Sequence, residues 1–519
     1  MRSAHSHGFS QVPRADIPRS QFNRGHRYLT TFDADYLVPV LVDDIVPGDT
    51  FNVNMNFFAR LATPLYPIMD NLYLESFFFF VPYRLVWENW EKMHGAQDNP
   101  GDSIDFTVPT YTSTDTAAVG SRYDYFGIPT GIANVLQGIS NLPGRAYNLI
   151  WNDWFRDQNL QNKVTVDTGN GPDAPANYRD LLKRGKRYDY FTACLTAPQK
   201  GDAVSLPLGT VAPIFAAATT GQSVGIHSST TDTVIRRLEV NTTPLEMDTG
   251  NTGDVLMQAN LAGASSATIN DLRLAFQTQR LLERDARSGT RYNELILAHF
   301  GVTVPDFRLQ RPEFLGGGST RINISAVAQT SGQPTPAVND KLGELAAIGT
   351  VSGSHGFTKS FVEHGVLIGL VNVRADLTYS QGIERYWNKS TRYDFYYPVL
   401  SQIGEQSVFN KEIYYQNSSQ DDDVFGYQER YAEMRYKPSK LTGLMRVDAA
   451  SNLDEWHLSE DFGSLPTLGS TFIESNTAGP LDRAIQIPTE PQIIFDSYID
   501  MQCARPMPLF GVPGNLDRF

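Results

Sequence analysis

Residues 51–57 alternate without interruption between apolar side chains and asparagine. Phe51, Val53, Met55 and Phe57 are separated by three asparagines. Because successive side chains of a β-strand point to opposite faces, this pattern predicts a strand with one buried and one solvent-facing side. Turn-forming residues at 47–49 and 67–71 mark its two ends. The chain must therefore cover this apolar face with a second layer.

Three further segments have the composition of strands. Residues 72–81 contain four consecutive phenylalanines and predict a strand buried on both faces, and residues 361–376 are similar. Residues 495–503 alternate between apolar and polar side chains. The chain also contains 30 prolines and 41 glycines, spread over its 519 residues. This combination predicts a mainly β sandwich whose strands are separated by long loops.

Helical periodicity is rarer. Residues 268–271 resemble a capping box, and the apolar residues that follow predict a helix with Leu272, Phe276 and Leu282 on one face. A second short helix is expected from Arg291 to Phe300. Both helices lie in the second half of the chain, between strand-like segments.

Charge is distributed unevenly along the chain. The net charge is −14, yet residues 1–30 contain five arginines and one acidic residue. Two prolines and little apolar periodicity predict that this basic N-terminal arm is extended and held by partners. We expect residues 31–210 and 268–519 to form one large domain.

Residues Val211 to Ala267 differ from their surroundings. Ala, Thr, Ser and Gly supply almost half of them, and aromatic residues are nearly absent after Phe215. A few apolar pairs indicate a small folded excursion. We predict that this segment is a surface insertion.

The sequence contains no motif of an established enzyme class. A phosphate-binding P-loop, a nucleophile elbow and the His-Glu-x-x-His zinc motif are all missing. The two cysteines cannot form a disulfide framework, the N-terminus leads into no apolar signal sequence, and the longest apolar runs are too short for a membrane helix. We therefore assign no catalytic residue, metal or cofactor and expect no membrane span.

Several residues have both a chemical and a structural interpretation. His5 and His7 lack the further ligands of a zinc site. For His299, and for His364 beside Glu363, a hydrogen-bonded structural histidine is favoured over an acid-base role. The three consecutive aspartates at 421–423 are interpreted as a solvated loop tip in preference to a cation site. The three glycines at 316–318 are interpreted as a flexible loop in preference to a phosphate site.

Basic residues indicate a partner. Arginine outnumbers lysine, and arginine binds phosphate through two parallel hydrogen bonds and stacks on aromatic rings. Residues 183–190 combine cations with two tyrosines, which suits single-stranded nucleic acid, although a contact with another subunit explains them equally well. The candidate contacts with nucleic acid or with the particle interior are Arg14, Arg19, Arg24, Arg27, Lys183, Arg184, Lys186 and Arg187.

Nearly the whole chain outside the insertion resembles the major capsid proteins of small single-stranded DNA phages, the Microviridae, and specifically their gokushovirus branch. The resemblance rests on strings in the same order. They are DYLVPV (35–40), PGD (47–49), RLATPLYPIMD (60–70), FVPYRLVW (80–87), YNLIWNDWFRD (147–157), GTRY (289–292), RPEFLGG (311–317) and GIER (382–385).

This resemblance implies an eight-stranded antiparallel jelly-roll β-sandwich with long loop insertions and a few short helices. It further implies pentamers and a T=1 icosahedral shell of sixty copies around a circular single-stranded DNA genome. The insertion at Val211 to Ala267 would form a protrusion at the three-fold axes that engages a host surface receptor. A small, very basic DNA-packaging protein would accompany the acidic capsid protein. The capsid protein would be found in the virion and, during assembly, in the host cytoplasm.

Two other classes of protein remain open from the residues alone. A carbohydrate-active jelly-roll hydrolase would need a cleft with paired carboxylates of shifted pKa. A carbohydrate-binding β-sandwich would need no basic arm. Formation of symmetrical particles would separate the capsid interpretation from both.

Overall fold

The computed structural model describes residues 18–112, 116–204, 269–328, 330 and 345–510, and the backbone of five short strands between 205 and 268. It is mainly β with antiparallel sheets and short helices, as the sequence predicts. The strands are β1 Ser20–Asn23, β2 His26–Phe32, β3 Val38–Ile45, β4 Thr50–Leu61, β5 Leu72–Pro82, β6 Ile214–Ala216, β7 Val224–Ile226, β8 Arg236–Val240, β9 Leu245–Asp248, β10 Met257–Ala259, β11 Glu313–Arg321, β12 Asn323–Ala328, β13 Leu345–Ser360, β14 Gly365–Ala375, β15 Glu405–Phe409, β16 Val424–Glu429 and β17 Ile493–Arg505.

Helices occupy the connections between the strands. The α-helices are α1 Tyr83–Val86, α2 Trp90–Met93, α3 Arg122–Tyr125, α4 Leu142–Ile150, α5 Ile269–Ser288, α6 Tyr292–Phe300, α7 Asp306–Leu309, α8 Asn410–Ile413, α9 Ser470–Ile473 and α10 Ala478–Ala484. A π-helical turn, Trp151–Phe155, extends α4. Short 3-10 turns lie at Pro175–Asn177, Arg385–Asn388, Arg392–Asp394, Pro398–Gln402, Ser419–Asp422, Ala432–Met434, Gly443–Met445 and Asp454–Trp456.

Two antiparallel sheets form the sandwich. Sheet 1 has the order β1-β17-β4-β13-β12, with β2 also paired to β17, and sheet 2 has the order β11-β5-β14-β3. In chain order, β2, β4, β13 and β17 of sheet 1 interleave with β3, β5, β11 and β14 of sheet 2, which is the connectivity of a jelly roll. In the described part of the chain, two further strands, β1 and β12, extend sheet 1 beyond these eight.

The apolar core lies between the two sheets. The apolar residues of the Phe51–Phe57 pattern are buried, while the intervening asparagines are exposed, so the predicted strand is confirmed. Across the core, Phe78 of sheet 2 packs on Phe357 of sheet 1 with ring centroids 5.3 Å apart. Strands β5 and β14 pair along their whole length and are buried on both faces, as predicted.

A helical layer covers the second face of sheet 2. Helix α4 and the π-helical turn pack on Phe79, Ile368 and their neighbours. This layer contains a fully buried ion pair, in which the Arg145 guanidinium donates two hydrogen bonds of 2.7 Å to the Asp173 carboxylate. Sheet 2 is therefore internal, whereas the outer face of sheet 1 presents its polar side chains to solvent.

The N-terminal arm differs from the prediction. The sequence predicts that partners hold the arm, but β1 and β2, within residues 20–32, pair with β17 of the same chain. Tyr28 also donates hydrogen bonds to the carbonyl oxygens of Pro39 and Tyr125. An extended segment with alternating polar residues can pair with the edge strand of a sheet, and here β17 of the same chain is that strand.

The interpretation of residues 316–318 as a flexible loop is wrong. The three glycines lie in β11, the edge strand of sheet 2, and pair with β5. A Cβ atom at Gly317 would overlap the carbonyl oxygen of Ser76, and one at Gly318 would overlap the ring of His355. Glycine is present here because the strand approaches its neighbours too closely for a side chain.

The chain separates into two compact units. One comprises Met1–Pro198 with Thr290–Phe519, and the other is Gln199–Gly289. The second unit is wider than the predicted insertion and includes α5, the helix expected from residue 268. Within that unit the apolar residues Leu272 and Phe276 of α5 are exposed. In the described part of the chain, no helix has the length and apolar character needed to cross a membrane.

Candidate nucleic-acid and assembly surfaces

The basic segment 183–190 runs beside sheet 2 and is held by two isolated bridges. Lys183 pairs with Tyr36, and Gly185 pairs with Glu474. Backbone contacts on both sides therefore fix which way its alternating side chains point. The side chains of Arg184 and Arg187 both reach Glu75 on β5.

Glu75 is 93% buried and is surrounded by three guanidinium groups. Arg184, Arg187 and Arg374 each form an ion pair with its carboxylate, and Arg187 also pairs with Asp376 at 2.9 Å. Burial by itself raises the pKa of Glu75, but the three cations outweigh it and hold that pKa below its usual range. Burial, together with the neighbouring Arg184, lowers the pKa of Arg374 to about 10.

Lys186 is buried and pairs with a different carboxylate. Its ammonium lies 2.7 Å from the Glu460 carboxylate, and the two side chains are 5% and 3% exposed. The same ammonium lies 4.3 Å from the centroid of the Phe472 ring. Lys183, by contrast, lies 5.5 Å from the centroid of the Tyr36 ring. Three of the four predicted cations are thus already paired with carboxylates of the same chain, which favours a structural role for them.

A cleft of about 470 Å³ opens beside this segment. Phe77, Trp154 and the largely exposed Tyr188 supply aromatic walls, and Arg156 and Arg291 supply cations. Burial and the neighbouring Arg291 lower the pKa of Arg156. The Nε atoms of both arginines lack a hydrogen-bond partner among the described residues. The cleft retains donors for an acidic group, whether a phosphate or a carboxylate of another subunit, so both predicted interpretations stay open.

The arginines of the N-terminal arm are partly paired as well. Arg24 donates to Asp43 in a half-buried ion pair, and Arg27 donates two hydrogen bonds of 2.8 and 2.7 Å to the exposed Asp496. Arg19 is exposed and donates to the carbonyl oxygen of Gly48. Arg14 lies outside the described residues, as does Val211 to Ala267 apart from the backbone of β6 to β10. Whether these residues contact DNA or a receptor stays a prediction.

His364 and Asp421 take structural positions, whereas His5 and His7 lie outside the described residues. His364 lies 5.2 Å from His94 between ring centroids, and burial, followed by the nearby His94, lowers its pKa. The 421–423 run is not a simple solvated tip, because Asp421 is buried and accepts hydrogen bonds from the Ser418 and Gln416 amides. Among the described residues, no group of three or more His, Cys, Asp or Glu side chains is arranged to hold a metal.

The hydrolase hypothesis requires a cleft with carboxylates, and one of about 360 Å³ contains Glu384 and Glu412. Burial raises the pKa of Glu412, whereas hydrogen bonds from Lys437 and Lys440 lower the pKa of Glu384.

Every carboxylate oxygen of this pair is already engaged. Glu412 accepts hydrogen bonds from the Phe409 amide, Arg385 and the Tyr190 hydroxyl, while the two lysines contact the two oxygens of Glu384. These contacts with neighbouring side chains and a backbone amide favour a structural role for both acids.

Sequence reasoning missed the aromatic residues of 386–397. Their rings are exposed, with Trp387 at 70%, and cations stand between them in the sequence. The same signal that drew attention to 183–190 is stronger here. It could have been recognised from the sequence, because Tyr386, Trp387, Tyr393, Phe395, Tyr396 and Tyr397 fall within twelve residues that also contain Lys389 and Arg392.

Known proteins match this chain over nearly its whole length. The family described as capsid protein (F protein) matches residues 10–515. Capsid protein VP1 of Bdellovibrio phage phiMH2K is 44% identical, covering 99% of both chains. Capsid protein VP1 of Chlamydia phage 1 is 40% identical over 98% of this chain and 97% of the relative, and that of Spiroplasma virus 4 is 34% identical over 99% and 98%.

These matches confirm the predicted resemblance to gokushovirus capsid proteins. They extend over essentially the full length of this chain and of each relative. A capsid protein is a structural component of the virion and acts as a shell of many copies. The chain belongs to the phage capsid protein (F protein) family.

Proposed function

We propose that sixty copies of this chain assemble through pentamers into a T=1 icosahedral shell around a circular single-stranded DNA genome. The observation that carries the proposal is the jelly-roll sandwich in a chain that matches capsid proteins over its full length. A sandwich whose loops present large apolar side chains to solvent suits lateral contacts between copies. Val119, Val362 and Val399 are each more than 80% exposed.

Expression of the full chain tests this proposal directly. We expect particles or pentamers in sedimentation and negative-stain images of the purified protein. A protein that is folded and strictly monomeric at every concentration and ionic strength would contradict it.

The basic arm and the acidic body have separate roles in this proposal. Residues 1–30 face the interior near the genome, and a small, very basic packaging protein supplies further neutralisation of the DNA, because the chain itself carries a net charge of −14. Trypsin treatment of intact particles tests the arm. Rapid cleavage at Arg14 or Arg19 would place the arm outside.

The segment Val211 to Ala267 forms the exterior protrusion at the three-fold axes and binds a host surface receptor in this proposal. Its Ser, Thr, Gly and Ala content and its membership of a compact unit distinct from the sandwich support it. Particles assemble in the host cytoplasm.

A further inference from the structure

Exposed aromatic rings and cations alternate on a surface made of two loops. We call residues 385–403 and 430–446 the aromatic–basic surface. Two hydrogen bonds hold its halves together, from Arg430 Nη2 to the Tyr393 carbonyl oxygen at 2.8 Å and from the Tyr431 hydroxyl to the Phe395 carbonyl oxygen at 3.0 Å. Both loops flank the β15–β16 hairpin, which fixes their ends.

The surface is basic although the chain is acidic. Residues 385–403 contain three basic residues and one acidic residue, and residues 430–446 contain five basic residues and one acidic residue. Two lysines, Lys437 and Lys440, share the single carboxylate of Glu384. Four more cations have no carboxylate partner in an ion pair with any described residue. They are Lys389, Arg392, Arg430 and Arg446.

The unpaired cations lie against aromatic rings. Lys389 Nζ is 5.3 Å from the centroid of the Phe395 ring, and the Arg392 guanidinium is 5.5 Å from that of Tyr397. Tyr386 and Trp387 are 64% and 70% exposed and pack edge to face. These rings therefore offer flat, solvent-accessible faces next to positive charge.

The adjoining cleft contains polar atoms that lack a partner. Its volume of about 360 Å³ is in the range that accepts a small organic group. Ser380 is 92% buried and lines this cleft, and its Oγ has no hydrogen-bond partner among the described residues. Asn388 Nδ2 and Arg430 Nε, which belong to the aromatic–basic surface, are also buried without a partner among those residues. Such atoms can donate or accept a further hydrogen bond, from water or from a bound group.

We propose that the aromatic–basic surface binds single-stranded DNA, with bases stacking on Tyr386 and Trp387 and phosphates near Lys389 and Arg392. Stacking on aromatic side chains combined with backbone neutralisation is how proteins bind single strands without sequence preference. A contact with a second copy fits less well, because lysine is depleted at the cores of protein interfaces and Lys389 lies over two of the exposed rings, Tyr386 and Phe395. The inference rests on the proposed enclosure of a single-stranded genome.

The test uses the purified full chain and a fluorescent dT20 oligonucleotide at low salt. We expect ultraviolet cross-links within 385–403 or 430–446, read by mass spectrometry. Trp387→Ala should weaken binding roughly 5- to 150-fold, the range for loss of one stacked base. Tyr498→Ala removes a half-exposed ring from the outer face of sheet 1 and serves as the matched control, with no loss of affinity expected.

The salt dependence provides a second readout. The double variant Lys389→Ala with Arg392→Ala should reduce the slope of log K against log salt by about 1.4, because each phosphate contact with a single strand contributes about 0.7. Arg179→Ala, an exposed arginine paired with Asp180, should leave the slope unchanged. Circular dichroism and the melting temperature verify that each variant is folded.

Three outcomes would overturn the inference. The first is that the wild-type chain does not bind dT20. The second is that the cross-links map to the arm or to Tyr188. The third is that the Trp387→Ala variant keeps full affinity for dT20 but no longer forms particles. The last outcome would identify the surface as a subunit interface. Failure of the proposed shell is read separately, as the absence of particles from the wild-type chain.

Discussion

The ammonium of Lys186 and the carboxylate of Glu460 form an ion pair of 2.7 Å that is almost completely removed from solvent. Asn476 Nδ2 donates a hydrogen bond of 3.0 Å to the second oxygen of Glu460. A cation of the segment that the sequence assigns to a partner is therefore enclosed within its own chain. This pair joins the basic segment to the loop that precedes α9.

Replacement of Lys186 by methionine should destabilise the fold. The variant leaves the Glu460 charge buried and unpaired, which costs about 3–5 kcal/mol. Urea unfolding of the unassembled protein measures the change. The double variant Lys186→Met with Glu460→Gln should recover much of the loss, and Arg27→Met, which breaks an exposed pair with Asp496, should show no measurable effect. Equal effects of Lys186→Met and Arg27→Met would show that the buried pair has no special role.

Gly317→Ala should destabilise the edge of sheet 2. The added methyl group overlaps the carbonyl oxygen of Ser76, so β11 must move away from β5. Overpacking of this kind costs about 1–3 kcal/mol. Gly463→Ala is the matched control, since a Cβ atom there meets no heavy atom within 4 Å. If the midpoint of thermal unfolding were lowered equally by both, the close approach of the two strands would not be the cause.

Stability should fall as the pH drops below about 6.5, partly because of His355. Its ring nitrogens lie 2.7 Å from Ser76 Oγ and 3.0 Å from Thr320 Oγ1, and burial lowers its pKa. The unfolded chain then takes up a proton near pH 6.5 before the folded chain does, so acid favours unfolding in that range. Well above the unfolded pKa of about 6.5, both states are neutral at this residue and its contribution is constant.

The variant His355→Gln tests this expectation. Its loss of stability between pH 7.5 and pH 5.5 should be smaller than that of the wild type, when both are measured by urea unfolding in matched buffers. His364 and His457 also have pKa values lowered by burial, so some pH dependence should persist. An unchanged pH profile would show that His355 is protonated equally in the two states.

Deletion of residues 213–265 should leave shell formation intact and abolish infection. The segment belongs to a compact unit other than the one that contains the two sheets of the sandwich. Particle yield from electron microscopy controls for folding, and plaque formation on the host measures attachment. Loss of particles on deletion would show that the segment is required for assembly instead.

The secondary structure and burial of segments with a regular apolar pattern could be predicted from the sequence. The alternation at 51–57 and the continuous apolar run at 365–371 follow directly from which faces of β4 and β14 are buried, and both strands are found where predicted. The same is true of α6, which begins at Tyr292 within the predicted range. Local periodicity is sufficient here because each side chain reports only on its own face.

Glycines 316–318 and Asp421 show where this reasoning fails. Glycine occurs both in flexible loops and in strands that lie too close to a neighbour for a side chain. Only the positions of Ser76 and His355 in the folded protein distinguish these two cases. Likewise, Asp421 is buried because it accepts hydrogen bonds from two backbone amides of its own turn.

The sequence by itself determined the class of fold, the family and the acidic character of the chain, because these depend on composition, period and contiguous strings. Only the tertiary structure decided which cations are available to a partner. Glu75 and Glu460 come from β5 and from a loop more than 250 residues away along the chain, yet they neutralise adjacent residues of one basic segment. Loops 385–403 and 430–446 keep unpaired cations beside exposed rings instead. Pairing between distant residues is set by the packing of the sheets, and no local pattern encodes it.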